Sequence, residues 1–145
     1  MPPKDFEDDE QKCESLGTCF INSKFMPHNC IVSGWGATET NPYPKFQRWA
    51  QVEIWKKNEC RQYVSSNRIS KVMCAGNSEN FEARICNGDS GGPLACVQDK
   101  AMILVGITSH SFDCKETYLN NRRPPSFFTR VTQYVDWINQ YTVST

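Results

Sequence analysis

Short apolar stretches, separated by turn residues, set the pattern of this chain. Between Phe46 and Trp55 the residues alternate, with Phe46, Arg48, Ala50, Val52 and Ile54 on one face and more polar residues on the other. Apart from Arg48, that is the period of a half-buried strand. Lys71 to Cys74, Pro93 to Val97, Ala101 to Thr108 and Phe127 to Val131 are further apolar segments bounded by turn formers. Asn58 is placed to cap a short helix through Tyr63. Near the end, Val131, Tyr134, Val135 and Ile138 fall at i, i+3, i+4 and i+7, one helical stripe. Several antiparallel strands and one terminal helix suit a single six-stranded barrel, an all-β fold. No internal repeat or low-complexity tract interrupts it.

At 145 residues the chain is one domain by the usual size prior. Its formal charge is zero, which gives no reason to expect nucleic acid or an anionic membrane as partner. The pairs Lys56-Lys57 and Arg122-Arg123 read as solvated loop charges. Eight cysteines in so short a chain point to an oxidising compartment and a disulfide framework. No pair of C-x-x-C knuckles is present, so zinc is not expected, and neither is any other metal or cofactor. The first ten residues are polar and acidic, with no apolar core for a signal peptide. No run is long enough to span a membrane. Export and this start are reconciled if the sequence is the tail of a longer product.

The strongest chemical signal is Cys86-Asn87-Gly88-Asp89-Ser90-Gly91-Gly92-Pro93-Leu94. A serine hydroxyl is a poor nucleophile without a base and an oxyanion hole. Here a serine sits among glycines that let the backbone turn tightly and bring N–H groups near a reacting carbonyl, and the preceding Asp is placed to pin the turn. A bare G-D-S-G also makes ordinary turns; the full G-D-S-G-G-P-L-x-C run is far more specific. It resembles the nucleophile loop of the trypsin/chymotrypsin family of serine endopeptidases. Other stretches agree in order and spacing: Cys30-Ile31-Val32-Ser33-Gly34-Trp35-Gly36, Met73-Cys74-Ala75-Gly76, Val105-Gly106-Ile107-Thr108-Ser109, and Ser126 to Val131 followed by Tyr134 to Ile138.

The resemblance covers about residues 30 to 143, so residues 1–29 are expected to be an irregular segment and 30–145 the protease domain. It implies the C-terminal half of a two-barrel, Greek-key fold with a short C-terminal helix, an extracellular setting, and a protein or peptide as substrate. It implies Ser90 as nucleophile, Gly88 as an oxyanion-hole amide and Asp89 as the acceptor of an activating N-terminal ammonium. It pairs Cys30 with Cys96, Cys60 with Cys74 and Cys86 with Cys114. Cys13 and Cys19 then either close a small loop together or bridge to another segment. The substrate-binding wall would include Arg84, Asn87, Thr108, Ser109, His110, Ser111 and Ser126.

Several positions depart from the family pattern. The family's catalytic His and Asp lie in an N-terminal barrel, upstream of everything in this sequence. The histidines here are His28, which reads as loop, and His110, where the family usually has Trp. His110 is expected to be a wall residue rather than a substitute base. Arg84 stands where trypsin-like members carry Asp, and either repels basic side chains or points to water. Ser111 and Ser126 replace glycines and narrow the entrance to the pocket. With no ammonium to pair with, Asp89 is expected to face solvent or backbone donors, and the Gly88 amide to be misplaced. The chain alone is therefore expected to be inactive, with a non-catalytic protein-binding module as the alternative. In either case a missing N-terminal barrel or a covering partner is expected over an apolar face that includes Tyr134, Val135, Trp137 and Ile138.

Overall fold

The computed structural model describes residues 30–38, 40–76, 85–98, 100–112 and 124–142. Six strands form a closed antiparallel barrel: β1 (Cys30–Gly34), β2 (Arg48–Ile54), β3 (Val72–Gly76), β4 (Pro93–Gln98), β5 (Ala101–Ser111) and β6 (Ser126–Arg130). Around the barrel they run β1-β2-β3-β6-β5-β4, so every strand pairs on both sides. Closure satisfies the backbone groups that an open edge would leave to solvent or to another chain. A short helix, α1 (Lys57–Cys60), follows β2, and α2 (Val135–Thr142) ends the fold.

Alternation along the strands fills the interior. Val32, Val52, Met73, Ala75, Leu94, Val105 and Phe128 form the main core together with Cys30 and Cys96. Those two cysteines stand opposite each other where β1 pairs with β4. Their disulfide joins the two strands that close the barrel and spans 66 residues of sequence. A second cluster gathers Cys60, Ile69, Val72, Cys74 and Phe127 beneath Trp55, Tyr63 and Phe112. The Cys60–Cys74 disulfide ties α1 to β3 there. Cys86 is also disulfide-bonded; its expected partner Cys114 lies outside the described residues, as do Cys13 and Cys19.

Some local expectations need correction. The strand expected over Phe46 to Trp55 is shorter, Arg48–Ile54, and of its proposed inner face only Val52 is fully buried. Phe46 precedes the strand and is exposed. Asn58 does not cap α1. The cap is Lys56, whose carbonyl accepts from Glu59 and Cys60, while the Asn58 side chain accepts from the Glu59 amide inside the first turn. The helix ends at Cys60 rather than running to Tyr63. β5 continues past Thr108 to Ser111. The terminal stripe is not one helix: Val131–Tyr134 is a 3-10 turn, and α2 starts at Val135. The two geometries place side chains differently. Val131 and Val135 are buried, Ile138 is half-buried, and Tyr134, Trp137 and Tyr141 are exposed.

Two stability measurements follow. Gly106 is buried in β5, and a Cβ there would lie 3.0 Å from the Phe128 Cβ and 3.1 Å from the Leu94 Cδ2. Gly106→Ala should destabilise the fold by about 1–3 kcal/mol through overpacking, read from urea denaturation. Replacing Cys60 and Cys74 together by Ser should cost roughly 2–4 kcal/mol in the same assay.

Candidate active site

The turn between Cys86 and Gly92 leads into β4. The Asp89 amide donates to the Cys86 carbonyl, and the Gly92 amide to the Asp89 carbonyl, each at 3.0 Å. Gly88 has φ +101° and Gly91 φ +84°, a region that residues with a Cβ enter only at a steric cost. Gly88 also approaches the Gly36 Cα so closely that a Cβ would stand 3.2 Å from it.

The turn is fastened on both flanks. On one side the Gly91 amide donates to the Thr108 carbonyl and the Thr108 amide to the Gly92 carbonyl, both at 2.8 Å, which continues the β4–β5 ladder past Pro93. On the other side the Ala37 amide donates to the Asn87 carbonyl at 2.8 Å. The Asp89 carboxylate accepts from the Gly36 amide at 2.7 Å and from the Cys86 amide at 2.9 Å.

Ser90 is exposed at the apex, and its hydroxyl donates to the Ser109 carbonyl at 3.3 Å. Ser109 lies in a bulge of β5: Thr108 pairs with Phe128 and His110 with Phe127, leaving Ser109 without a partner residue on β6. A bulge of this kind re-aims the groups of the extra residue. The Ser109 hydroxyl shares a hydrogen bond of 3.2 Å with His110 Nδ1. The His110 ring stacks on Phe127, with centroids 4.6 Å apart and planes 19° from parallel.

The fold brings Asn87, Gly88, Asp89, Ser90, Thr108, Ser109 and His110 to one end of the β4–β5 pair. Ser111 and Ser126 face each other across β5 and β6 just beyond. Ser126 is buried, and the half-buried Ser111 donates its hydroxyl to the Ile85 carbonyl at 3.0 Å, so that side chain braces the segment before Cys86. Arg84 and His28 lie outside the described residues. No group of His, Cys, Asp and Glu among the described residues could hold a metal ion. No described helix is long and apolar enough to cross a membrane.

Sequence reasoning missed Gly34 and Gly36 as parts of this site. A Cβ on either would overlap the Asp89 carboxyl group. The signal was present as two glycines flanking Trp35, two residues apart at a strand end, but their partner stands more than fifty positions away.

A barrel with a G-D-S-G-G turn at its mouth has relatives. The family model described as Trypsin matches residues 17–138. Bovine (Bos taurus) coagulation factor XI is 38% identical over 121 residues, which are 81% of this chain and 18% of that protein. Among solved structures, neuropsin, a serine protease expressed in the limbic system of mouse brain, superposes with a TM-score of 0.62 at 33% identity. That superposition covers 77% of this chain and 47% of the neuropsin chain, so the sequence spans less than half the length of either relative. Barrel, turn and sequence agree along most of the chain, and it belongs to the trypsin family of serine proteases.

Proposed function

We propose that this chain is the nucleophile-bearing barrel of a trypsin-like serine endopeptidase, with Ser90 as the attacking group, and that by itself it does not hydrolyse peptide bonds. The observation that carries this reading is the hydrogen bond from the Ser90 hydroxyl to the Ser109 carbonyl. A carbonyl oxygen orients a hydroxyl but cannot take its proton at neutral pH, so this bond does not activate the serine. Among the described residues the one histidine, His110, is stacked on Phe127 and engages the Ser109 hydroxyl instead. A general base and its orienting carboxylate would have to come from elsewhere.

The other roles follow the same reading. The Gly88 and Ser90 amides would receive the developing oxyanion. Asn87, Thr108, Ser109 and His110 would form the wall along which a peptide backbone lies. Arg84, Ser111 and Ser126 would shape the pocket for the residue at the scissile bond. A protein or peptide is the substrate class, and the disulfides suit an extracellular setting. A non-catalytic role in binding protein finds support in the exposed aromatic side chains Trp35, Tyr43, Phe46 and Trp49, which follow or flank the end of β1.

Losing the base alone lowers turnover by roughly a million-fold in a serine protease. The purified chain should therefore leave peptide substrates intact and should not react with a fluorophosphonate probe. Probe labelling that vanishes in Ser90→Ala would overturn the inactivity and make His110 the candidate base.

A further inference from the structure

The connection between β1 and β2 is closed by hydrogen bonds, yet it carries its largest side chains into solvent. Thr38 and Asn41 tie its base. The Thr38 amide and hydroxyl both donate to the Asn41 carbonyl, at 2.8 and 3.2 Å, and the Asn41 amide donates to the Thr38 hydroxyl at 3.0 Å. The Tyr43 amide then donates to the Asn41 side-chain oxygen at 2.8 Å. Pro42 and Pro44 flank Tyr43, and each fixes its own φ. Held in this shape, Tyr43 is 86% and Phe46 82% exposed, while Trp35 and Trp49 at the two ends of the connection are 58% and 71% exposed. Trp49 stands opposite Ser33 and Arg48 opposite Gly34, the residue before Trp35. None of the four rings belongs to either core cluster. Lys45 and Arg48 are exposed among them, and no acidic residue occurs from position 40 to position 52.

Exposed apolar side chains gathered on one segment mark an interaction surface, and Trp, Tyr and Arg are the residues on which binding energy concentrates. A loop already fixed in shape loses little freedom when it binds. The side chains also select the partner. Two cations without an acid beside them suit carboxylates, and the rings suit an aromatic or large apolar side chain between those carboxylates. We propose that the β1–β2 connection is a docking surface for another protein, and that it takes an extended acidic segment carrying aromatic side chains. Lys45 and Arg48 pair with its carboxylates, and Trp35, Tyr43, Phe46 and Trp49 cover its rings. Two cations are few for a nucleic-acid strand, and the disulfides suit a compartment where protein is the commoner partner. The stem of the connection is bonded to the Ser90 turn, through the Gly36 amide to Asp89 and the Ala37 amide to Asn87, so the partner is held beside that turn. The inference goes beyond the protease reading and holds whether or not Ser90 attacks a peptide bond.

The test titrates the full chain with a short capped peptide of Glu and Asp around a Phe-Phe pair. Tryptophan emission should change on binding, since Trp35 and Trp49 are exposed in the surface, and amide NMR shifts should gather on residues 40–49. Raising the salt from about 50 to about 500 mM should weaken binding at least about tenfold, because exposed charge pairs are screened. Lys45→Glu with Arg48→Glu should lower the affinity for the acidic peptide at least about tenfold and raise it for the same peptide with Lys in place of its acids, an exchange that damage to the fold cannot produce. Tyr43→Ala with Phe46→Ala should also weaken the acidic peptide about tenfold, and the thermal midpoint should not move, as both rings are exposed. No binding at millimolar peptide, shifts that gather elsewhere, salt-independent binding, or a charge-reversed chain that still prefers the acidic peptide would overturn the inference. So would a single-stranded DNA oligomer that binds more tightly than the peptide, which assigns the surface to nucleic acid. A dimer in sedimentation that Tyr43→Ala with Phe46→Ala abolishes would overturn it too, since the surface then belongs to a second copy. If a double variant does not fold, the salt dependence and the shift map of the parent chain decide.

Discussion

The site hangs on one constraint: a half-buried carboxylate must find donors, and Asp89 finds one in its own turn, at Cys86, and the other at Gly36 because β1 and β4 are neighbours. Burying an unpaired charge is costly, so the Gly36 and Cys86 amides decide where the turn can sit. The link prolongs the seam that closes the barrel. From Cys30 opposite Cys96, the β1–β4 pairing runs to Val32 opposite Leu94. Beyond it come the close approach of Gly92 to Ser33, the carboxylate on Gly36, and the bond between Ala37 and Asn87. Disulfide, ladder and carboxylate thus act along one line, each limiting the freedom that the next must remove. The glycines along it are needed for proximity: a side chain at Gly34, Gly36 or Gly92 would push the two segments apart.

On the opposite flank the constraint is the strand β5. Two backbone bonds between the turn and Thr108 fix the turn against it, and the bulge at Ser109 then turns a carbonyl toward Ser90. With its backbone held on both sides, Ser90 keeps mainly the rotation of its own side chain. The geometry of Ser90 is therefore a property of the barrel. Its reactivity is another matter, because no hydrogen bond within the described residues draws the proton off the oxygen.

What was legible in the sequence divides along the same physics. Alternation and turn residues are local, so the strands and the closed barrel could be read, and the tight turn around Ser90 could be found from nine consecutive residues. The Cys30–Cys96 and Cys60–Cys74 pairs came from resemblance, since spacing alone leaves many connectivities open. Exact ends were harder. Phe46 falls outside β2 although it keeps the strand's phase, and the helical stripe at Val131 is a 3-10 turn, because period alone does not say where a ladder or helix begins. The bulge at Ser109 was invisible, since it exists only in the register between β5 and β6. The approach of Gly36 to Asp89 was equally hidden, because nothing near Gly36 in the sequence announces a carboxylate 53 positions on.

The imidazole next to Ser109 shows how position can outweigh residue type. Aromatic contacts run from Trp55 to Tyr63, Phe112 and Phe127, and the His110 ring ends the series by stacking on Phe127. A stack of this kind contributes only about 0.5–1.5 kcal/mol beyond burial, too little by itself to forbid a competing hydrogen bond to a serine. The backbone supplies the rest of the restraint. Ser109 intervenes between His110 and the turn, its carbonyl takes the Ser90 hydroxyl, and its own hydroxyl takes His110 Nδ1. For His110 to reach Ser90, the stack and both of these bonds would have to give way together. A histidine placed one residue past a bulge, with its ring on the wall of the sheet, is therefore suited to contact whatever lies along that wall and poorly suited to take the serine's proton.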